Sequence, residues 1–192
     1  MTAELHVPAG TGETVWVGED VYTLKATSAS TAGRLSLVEA SVPAGAGPPP
    51  HVHPDADEAF YVLAGELEML AGDRTFYART GDFVFVHRGT THRFANIGLH
   101  TMRMIFFHVP GGFDGFLSAV GTPARPSERP DPREPEDMKR GAQIGPEYGV
   151  ITQRFLTLPR PTVRNARERR AAGTTPTRHA VTAWIRMNSR QQ

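Results

Sequence analysis

The feature that most limits the fold of this chain is a succession of short β-prone runs between Thr14 and His108. The runs extend from ETVWV at 13–17 to TMRMIFFHV at 101–109, with glycines between them and no helix-length segment. The 19 glycines and 16 prolines in 192 residues also favour many short elements joined by tight turns. We therefore predict an all-β protein, built as an antiparallel meander or sandwich and not from βαβ units.

The chain changes character after Val109, where Pro110 and two glycines end the last run. Four apolar side chains then follow at helical spacing: Phe113, Phe116, Leu117 and Val120. This pattern predicts a short helix that packs over the β-structure.

Three segments are predicted along the chain. Residues 1–121 form the β-domain with its covering helix. Residues 122–158 form a proline-rich linker with a short helix near 136–142. Residues 159–192 form a basic tail with eight arginines against one glutamate. For this tail, a poorly ordered, solvated terminus is favoured over an RNA-binding or anion-binding segment.

Charge and cysteine content exclude several classes of function. With 21 basic and 20 acidic residues, no global field steers the chain toward nucleic acid or an anionic membrane, so a small-molecule or protein partner is expected. The chain has no cysteine, which leaves imidazole and carboxylate as metal ligands. The first 20 residues lack the basic start and apolar run of a signal peptide, and we expect a cytoplasmic protein.

Two histidines one residue apart follow three prolines in the stretch PPPHVH at 48–53. Alternate side chains of a strand share a face, so His51 and His53 would project together, at a separation suited to two ligands of one cation. Glu58, beyond a turn, can return on the neighbouring strand to the same space. Alone, such a pair near a turn is more often a surface accident.

A second stretch, GDFVFVHRGTTHRFAN at 81–96, places His92 at the start of a strand and Asn96 four residues later. Together with the flanking glycines, the two stretches read G-x5-HxH-x4-E-x6-G and G-x5-H-x-G-x2-H-x3-N. These motifs resemble the signature of the cupin superfamily, and the resemblance covers roughly residues 13–121. One departure is His87, because the second motif normally has proline there.

The cupin resemblance implies a double-stranded β-helix, or jelly-roll barrel, with short C-terminal helices. It also implies one divalent metal ion held by His51, His53, Glu58 and His92, called the ligand set below. Iron, manganese, nickel, copper, cobalt and zinc all accept these ligands. An octahedral ion would keep two positions open for substrate and dioxygen, whereas tetrahedral zinc would be structural; we expect the open site.

Within the cupins, GRLSLVEASVPAGAGPPPHVH and HVPGGFDGFLSAVG look like the single-domain quercetin 2,3-dioxygenase-like group. This resemblance implies a metal-dependent dioxygenase that acts on a flavonol-like or other enolisable aromatic small molecule. Glu58 would be both ligand and catalytic general base. Two alternatives stay open: a non-oxidative metal-dependent lyase, isomerase or cyclase, and a small-molecule-binding cupin without turnover.

Strand parity predicts which other side chains face the interior. The more apolar face of the last run consists of Met102, Met104, Phe106 and His108. By the same parity, Phe60 follows Glu58 inward and Phe94 follows His92. We predict that four of these side chains contact substrate, although core packing explains the same pattern: Phe60, Phe94, Met104 and Phe106.

Two further predictions concern the rim of the site and the assembly. His87 is either a base or extra ligand at the rim, or a strand-end histidine bonded to backbone, and the second interpretation is favoured. A homodimer is a family-level expectation, in which an edge strand within residues 13–27 is exchanged between subunits.

Overall fold

The computed structural model describes residues 4–130 and 134–153, and strands dominate that part of the chain. The strands are β1 (Glu13–Val17), β2 (Asp20–Ala26), β3 (Ser36–Val42), β4 (His51–Val52), β5 (Asp57–Ala64), β6 (Glu66–Ala71), β7 (Arg74–Arg79), β8 (Phe83–Val86), β9 (His92–Ala95), β10 (Met102–Val109), β11 (Thr122–Pro123) and β12 (Ile151–Thr152). The helices are α1 (Ser28–Thr31), α2 (Phe113–Val120) and α3 (Pro135–Ile144), followed by a 3-10 turn at Gly145–Tyr148. The all-β prediction is confirmed.

The strands form two antiparallel sheets. The larger sheet has the order β11-β1-β2-β3-β10-β5-β8, and the smaller has the order β12-β4-β9-β6-β7. Successive strands alternate between the sheets after β3, since β4 lies in the smaller sheet, β5 in the larger, and β6 and β7 again in the smaller. This alternation is how one chain builds a double-sheet barrel with a shared interior.

Side-chain alternation explains why the sheets enclose a core. Strands β2 and β3 bury every second residue, and β10 does the same from Met102 to His108. The predicted inward face of β10 is therefore confirmed. The core is apolar and includes Val38, Phe60, Met69 and Met104, each no more than 1% exposed.

Gly65 makes the turn by which the chain passes from β5 in one sheet to β6 in the other. Its φ is +88°, and a Cβ at this position would lie 2.9 Å from the Cβ of Met102. A side chain here would meet both backbone strain and a clash with β10. This position of the motif is thus explained by the fold.

The chain beyond β10 returns to the barrel. Helix α2 occupies residues 113–120 as the apolar spacing predicts, and α3 covers the predicted helix at 136–142. Strand β12 then pairs with β4, placing Thr152 opposite His51. The sequence did not predict this pairing, because two-residue strands carry no periodic signal.

The predicted boundaries at residues 121 and 158 stay predictions, and the basic tail at 159–192 lies outside the described residues. Among the residues described, no helix has the length and apolar character needed to cross a membrane.

Candidate metal centre

The ligand set comes from both sheets and meets in the barrel interior. His51 on β4 lies directly opposite His92 on β9 in the smaller sheet, whereas Glu58 lies on β5 of the larger sheet. His53 follows β4 in the loop that connects the sheets. All four side chains are buried, and one ligand atom from each lies within 4.8 Å of the others.

Backbone carbonyls orient the three imidazoles. The Nδ1 atom of His51 lies 2.9 Å from the carbonyl oxygen of Pro49, that of His92 lies 2.9 Å from the carbonyl of Thr90, and that of His53 lies 3.1 Å from the carbonyl of Gly149. A carbonyl only accepts, so each Nδ1 carries a hydrogen, and Nε2 presents a lone pair wherever the ring is neutral. This is the usual arrangement of histidines that ligate a metal.

The loop before β9 is tied to the ligand strands by hydrogen bonds. The Gly89 N–H donates to the carbonyl of His53 at 2.8 Å, and Arg88 donates to the Asp57 carboxylate through its backbone N–H at 2.9 Å and its guanidinium at 2.7 Å. These contacts fix where β9 starts, and therefore the position of His92.

Glu58 is the negative centre of the site. Its Oε2 atom lies 2.7 Å from Nε2 of His92 and 3.5 Å from Nε2 of His53. Burial alone would raise the pKa of Glu58, but the charges and hydrogen bonds of His108 and His92 outweigh it and hold the pKa well below its usual value. Glu58 is therefore an ionised carboxylate.

The pKa values of the three imidazoles shift in different directions. Burial lowers the pKa of His51 to about 3 and that of His53 to about 4, and neighbouring histidines add to both shifts. Burial also acts to lower the pKa of His92, but the hydrogen bond and charge of Glu58 raise it above its usual value. Burial thus favours the neutral form of His51 and His53, whereas Glu58 favours the charged form of His92.

The residues present fit a divalent cation. Ligand atoms that surround an ion at about 2.0–2.2 Å lie roughly 3–4 Å from one another, close to the spacing found here. With His92 neutral, the set offers three oriented Nε2 lone pairs and one carboxylate oxygen, the donors accepted by divalent transition metals.

A cavity of about 230 Å³ adjoins the ligand set, and both His51 and Glu58 lie on its wall. Its other walls are largely aromatic and apolar, and α2 and α3 contribute to them. The residues include Trp16, Tyr22, Phe94, Phe106, Phe113, Phe116, Leu117 and Met138. The volume is somewhat below the ~300–1,000 Å³ typical of small-molecule pockets.

The four predicted substrate contacts divide between the cavity wall and the core. Phe94 and Phe106 line the cavity, whereas Phe60 and Met104 are in the core and are not among its lining residues. Phe60 packs against the rings of Phe94 and Phe106 at centroid distances of 6.0 and 6.1 Å. Whether any of the four contacts substrate stays a prediction.

His87 lies outside the site. It is exposed, and its ring packs edge-on against Phe85 at 4.9 Å. Its carbonyl accepts a hydrogen bond from the N–H of Thr90, so it belongs to the turn before β9.

Two contributors to the site did not enter the predicted residue list. His108 is fully buried, and its Nε2 lies 3.3 Å from Nε2 of His53 and 3.4 Å from Oε1 of Glu58. The inward parity of β10 was the available signal for it. Gly149 supplies only a carbonyl, so no side-chain pattern could have indicated it.

Comparison with known proteins agrees with this architecture. Residues 38–108 match the family model described as a cupin domain, and this match contains the whole ligand set. Residues 38–108 are thus a cupin domain. The predicted cupin fold is thereby confirmed.

Two curated relatives of this cupin carry informative names. It is 30% identical to quercetin 2,3-dioxygenase of Bacillus subtilis over 122 residues, which is 64% of this chain and 36% of that protein. It is 34% identical to polyketide synthase CurC of Streptomyces cyaneus over 74 residues, which is 38% of this chain and 48% of that protein. The chain thus spans less than half the length of either relative.

Among solved structures, the cupin is similar to an uncharacterised protein of Klebsiella pneumoniae with a double-stranded β-helix domain. The identity is 20% and the TM-score 0.43, over 56% of this chain and 84% of that one.

Proposed function

We propose that this cupin is a metal-dependent dioxygenase that acts on a flavonol-like or other enolisable aromatic small molecule. The observation that supports the proposal is that two members of the ligand set and two aromatic side chains line the same cavity. They are His51, Glu58, Phe94 and Phe106. The relative named quercetin 2,3-dioxygenase supports the same class of reaction.

In this proposal, His51, His53, Glu58 and His92 hold one divalent cation. When bound, the cation polarises a substrate oxygen and lowers the pKa of its hydroxyl group, and it provides the site for dioxygen chemistry. Iron, manganese, nickel, copper, cobalt and zinc are all compatible with the donor set.

Glu58 is proposed as the catalytic base. Glu58 and Asp137 are the acidic side chains on the cavity wall in the described part of the chain. Asp137 is already engaged, because its Oδ2 atom accepts a hydrogen bond from the N–H of Glu134 at the start of α3. Because a ligated carboxylate with a lowered pKa is a weak base, Oε2 of Glu58 must swing partly off the cation to take the hydroxyl proton of the substrate.

The aromatic walls orient the substrate. Phe94 enters the cavity from the smaller sheet, Phe106 from the larger sheet, and Phe113 from α2. Flat rings pack well against such walls, and the apolar lining excludes water from the carboxylate.

The test begins with elemental analysis of protein purified without added metal. An oxygen electrode then screens flavonols and polyketide-like phenols against this protein. We expect about one metal ion per chain and oxygen uptake that chelation abolishes. Oxygen uptake that is unchanged after complete metal removal would contradict the proposal.

A non-oxidative metal-dependent lyase, isomerase or cyclase is the second candidate. The relative named polyketide synthase CurC favours it, since that name places a similar domain in polyketide synthesis. Product formation without oxygen uptake in the same screen would support this candidate. A ligand that binds equally well to metal-stripped protein and is never converted would instead indicate a binding protein.

A further inference from the structure

The imidazole of His108 is an additional buried group at the metal centre. It lies on β10 directly opposite Glu58 on β5 and is 0% exposed. Its ring stacks on Phe113 with centroids 4.3 Å apart and an interplanar angle of 22°. Strand pairing on one side and the stacked ring on the other hold this imidazole in one place.

The two ring nitrogens of His108 have different surroundings. Its Nε2 lies 3.4 Å from Oε1 of Glu58 and 3.3 Å from Nε2 of His53. Its Nδ1 is buried and has no hydrogen-bond partner among the described residues. A buried nitrogen without a partner destabilises the fold, so an apolar ring would suit this position better if packing were its only role.

The two oxygens of Glu58 are divided between different neighbours. Oε2 faces His92 and His53, the side on which the ligand atoms converge, whereas Oε1 faces His108. His53 directs its Nδ1 hydrogen to Gly149, which leaves its Nε2 as an acceptor. Once a cation takes that lone pair, Oε1 of Glu58 is the acceptor that remains, among the described residues, within reach of the His108 Nε2 hydrogen.

We propose that His108 is a positioning residue that holds Oε1 of Glu58 and thereby fixes Oε2 as the oxygen presented to the metal. The inference rests on the proposed metal centre and adds a residue to it. A partner that fixes a ligating carboxylate typically contributes 10–100-fold to metal affinity.

The test measures Co²⁺ binding by competition with a chromophoric chelator, together with the visible spectrum of the bound ion. His108→Phe keeps a ring against Phe113 and removes the unpartnered Nδ1. His108→Gln restores an N–H donor near the position of Nε2. Met104→Leu alters the same buried face of β10 without reaching Glu58 and is the matched control.

We expect the wild type and the His108→Phe variant each to bind one Co²⁺ per chain, with roughly 10–100-fold weaker affinity and a changed spectrum in the variant. A cooperative thermal transition of metal-free His108→Phe checks that this variant is folded. His108→Gln should recover most of the affinity, and Met104→Leu should match the wild type.

A double-mutant cycle tests whether His108 acts through Glu58. In a Glu58→Gln background, His108→Phe should weaken Co²⁺ binding by less than twofold further, because the interaction is already lost. A full additional loss in that background would overturn the proposal.

Three other results would also overturn it. Wild-type affinity and spectrum in His108→Phe would show that the contact has no positioning role. Complete loss of Co²⁺ in both His108 variants would make the residue a direct ligand. Absence of Co²⁺ binding by the wild type would contradict the proposed metal centre, and this inference would fail with it.

Discussion

The ligand set shows how a few buried residues share one negative charge. In the metal-free chain, Glu58 is paired with His92 at 2.7 Å, and their pKa values move in opposite directions. His51 and His53 stay neutral at ordinary pH because burial lowers their pKa values. A cation at this position would take over the contact that Nε2 of His92 makes with Oε2 of Glu58. The site therefore needs little electrostatic rearrangement to accept a metal.

Glu58→Gln separates metal binding from catalysis. The amide oxygen can still ligate, so we expect metal to be retained with reduced affinity, while turnover falls by at least ~100-fold because the base is lost. Metal content and oxygen uptake are measured on the same preparation. Asp137→Asn, on the same cavity wall, is the control and should keep near-wild-type turnover. An active Gln variant would exclude the proposed role of Glu58.

The metal-free protein should lose stability in mild acid. The unfolded chain protonates its histidines near pH 6.5, whereas folded His51 and His53 resist protonation until about pH 3 and 4. The unfolded state then binds more protons, so each group removes up to about 1.4 kcal/mol per pH unit as the pH falls below 6.5. Glu58, with its lowered pKa, adds to the loss below about pH 4.5.

His92 acts in the opposite sense. Its folded pKa is raised, so its contribution is complete below pH 6.5 and declines as the pH rises through the folded pKa. Urea unfolding between pH 7 and 4.5 measures the balance. His51→Asn should flatten the pH dependence, whereas the exposed His87→Asn should leave it unchanged. A flat profile in the wild type would contradict the assignment of neutral buried imidazoles.

At the scale of elements, the segment after the cupin match completes the site. The 3-10 turn at 145–148 ends at Gly149, whose carbonyl orients His53, and β12 then pairs with the strand that carries His51. Two of the three histidines of the ligand set therefore depend on residues beyond position 108, where the family match ends.

A pair of glycine substitutions tests this dependence. A Cβ on Gly145 would lie 2.5 Å from the carbonyl oxygen of Val150, so Gly145→Ala must displace the turn and the carbonyl of Gly149. We expect metal affinity to fall by about tenfold, in line with loss of a partner that orients a ligating histidine.

Gly141→Ala, in α3, is the matched control. A Cβ there meets only the ring of Phe116 at 3.9 Å, so it should leave metal affinity unchanged and stabilise the helix by roughly 0.5–1 kcal/mol. Isothermal titration with Mn²⁺ or Co²⁺ compares the two variants. Equal affinities would show that the turn does not orient His53.

At the scale of the molecule, the ligand set connects the two sheets. His51 and His92 belong to the smaller sheet and Glu58 to the larger, so a bound ion links both layers of the barrel. In the single chain β1 pairs with both β2 and β11. The exchange of an edge strand within residues 13–27 in a homodimer stays a prediction, and small-angle scattering of the purified protein tests it.

Metal removal should lower thermal stability. A ligand that binds only the folded state at 100 times its Kd contributes about 2.7 kcal/mol, which for a domain of this size raises the Tm by roughly 5–10 °C. Differential scanning calorimetry with and without chelator measures the shift. His92→Ala should abolish the difference, whereas His87→Ala should retain it. An equal Tm with and without metal would argue against a shared ion.

Most of the strands of the barrel could be predicted from the sequence, because local residue patterns determine where strands form. Short β-prone runs between glycines predicted β1–β3 and β5–β10, and helical spacing predicted α2. A short helix was also predicted near 136–142, where α3 lies. Parity placed the inward face of β10. The resemblance to the cupin motifs implied the four residues of the ligand set.

Only the tertiary structure decided what lies around those four residues. Three features depend on the register between distant segments. They are the pairing of His108 with Glu58, the contact of the Gly149 carbonyl with His53, and which of the predicted aromatic contacts line the cavity instead of the core. Strand period determines which face a side chain takes, but it carries no information on which strand lies opposite. That choice comes from packing the whole chain around one interior.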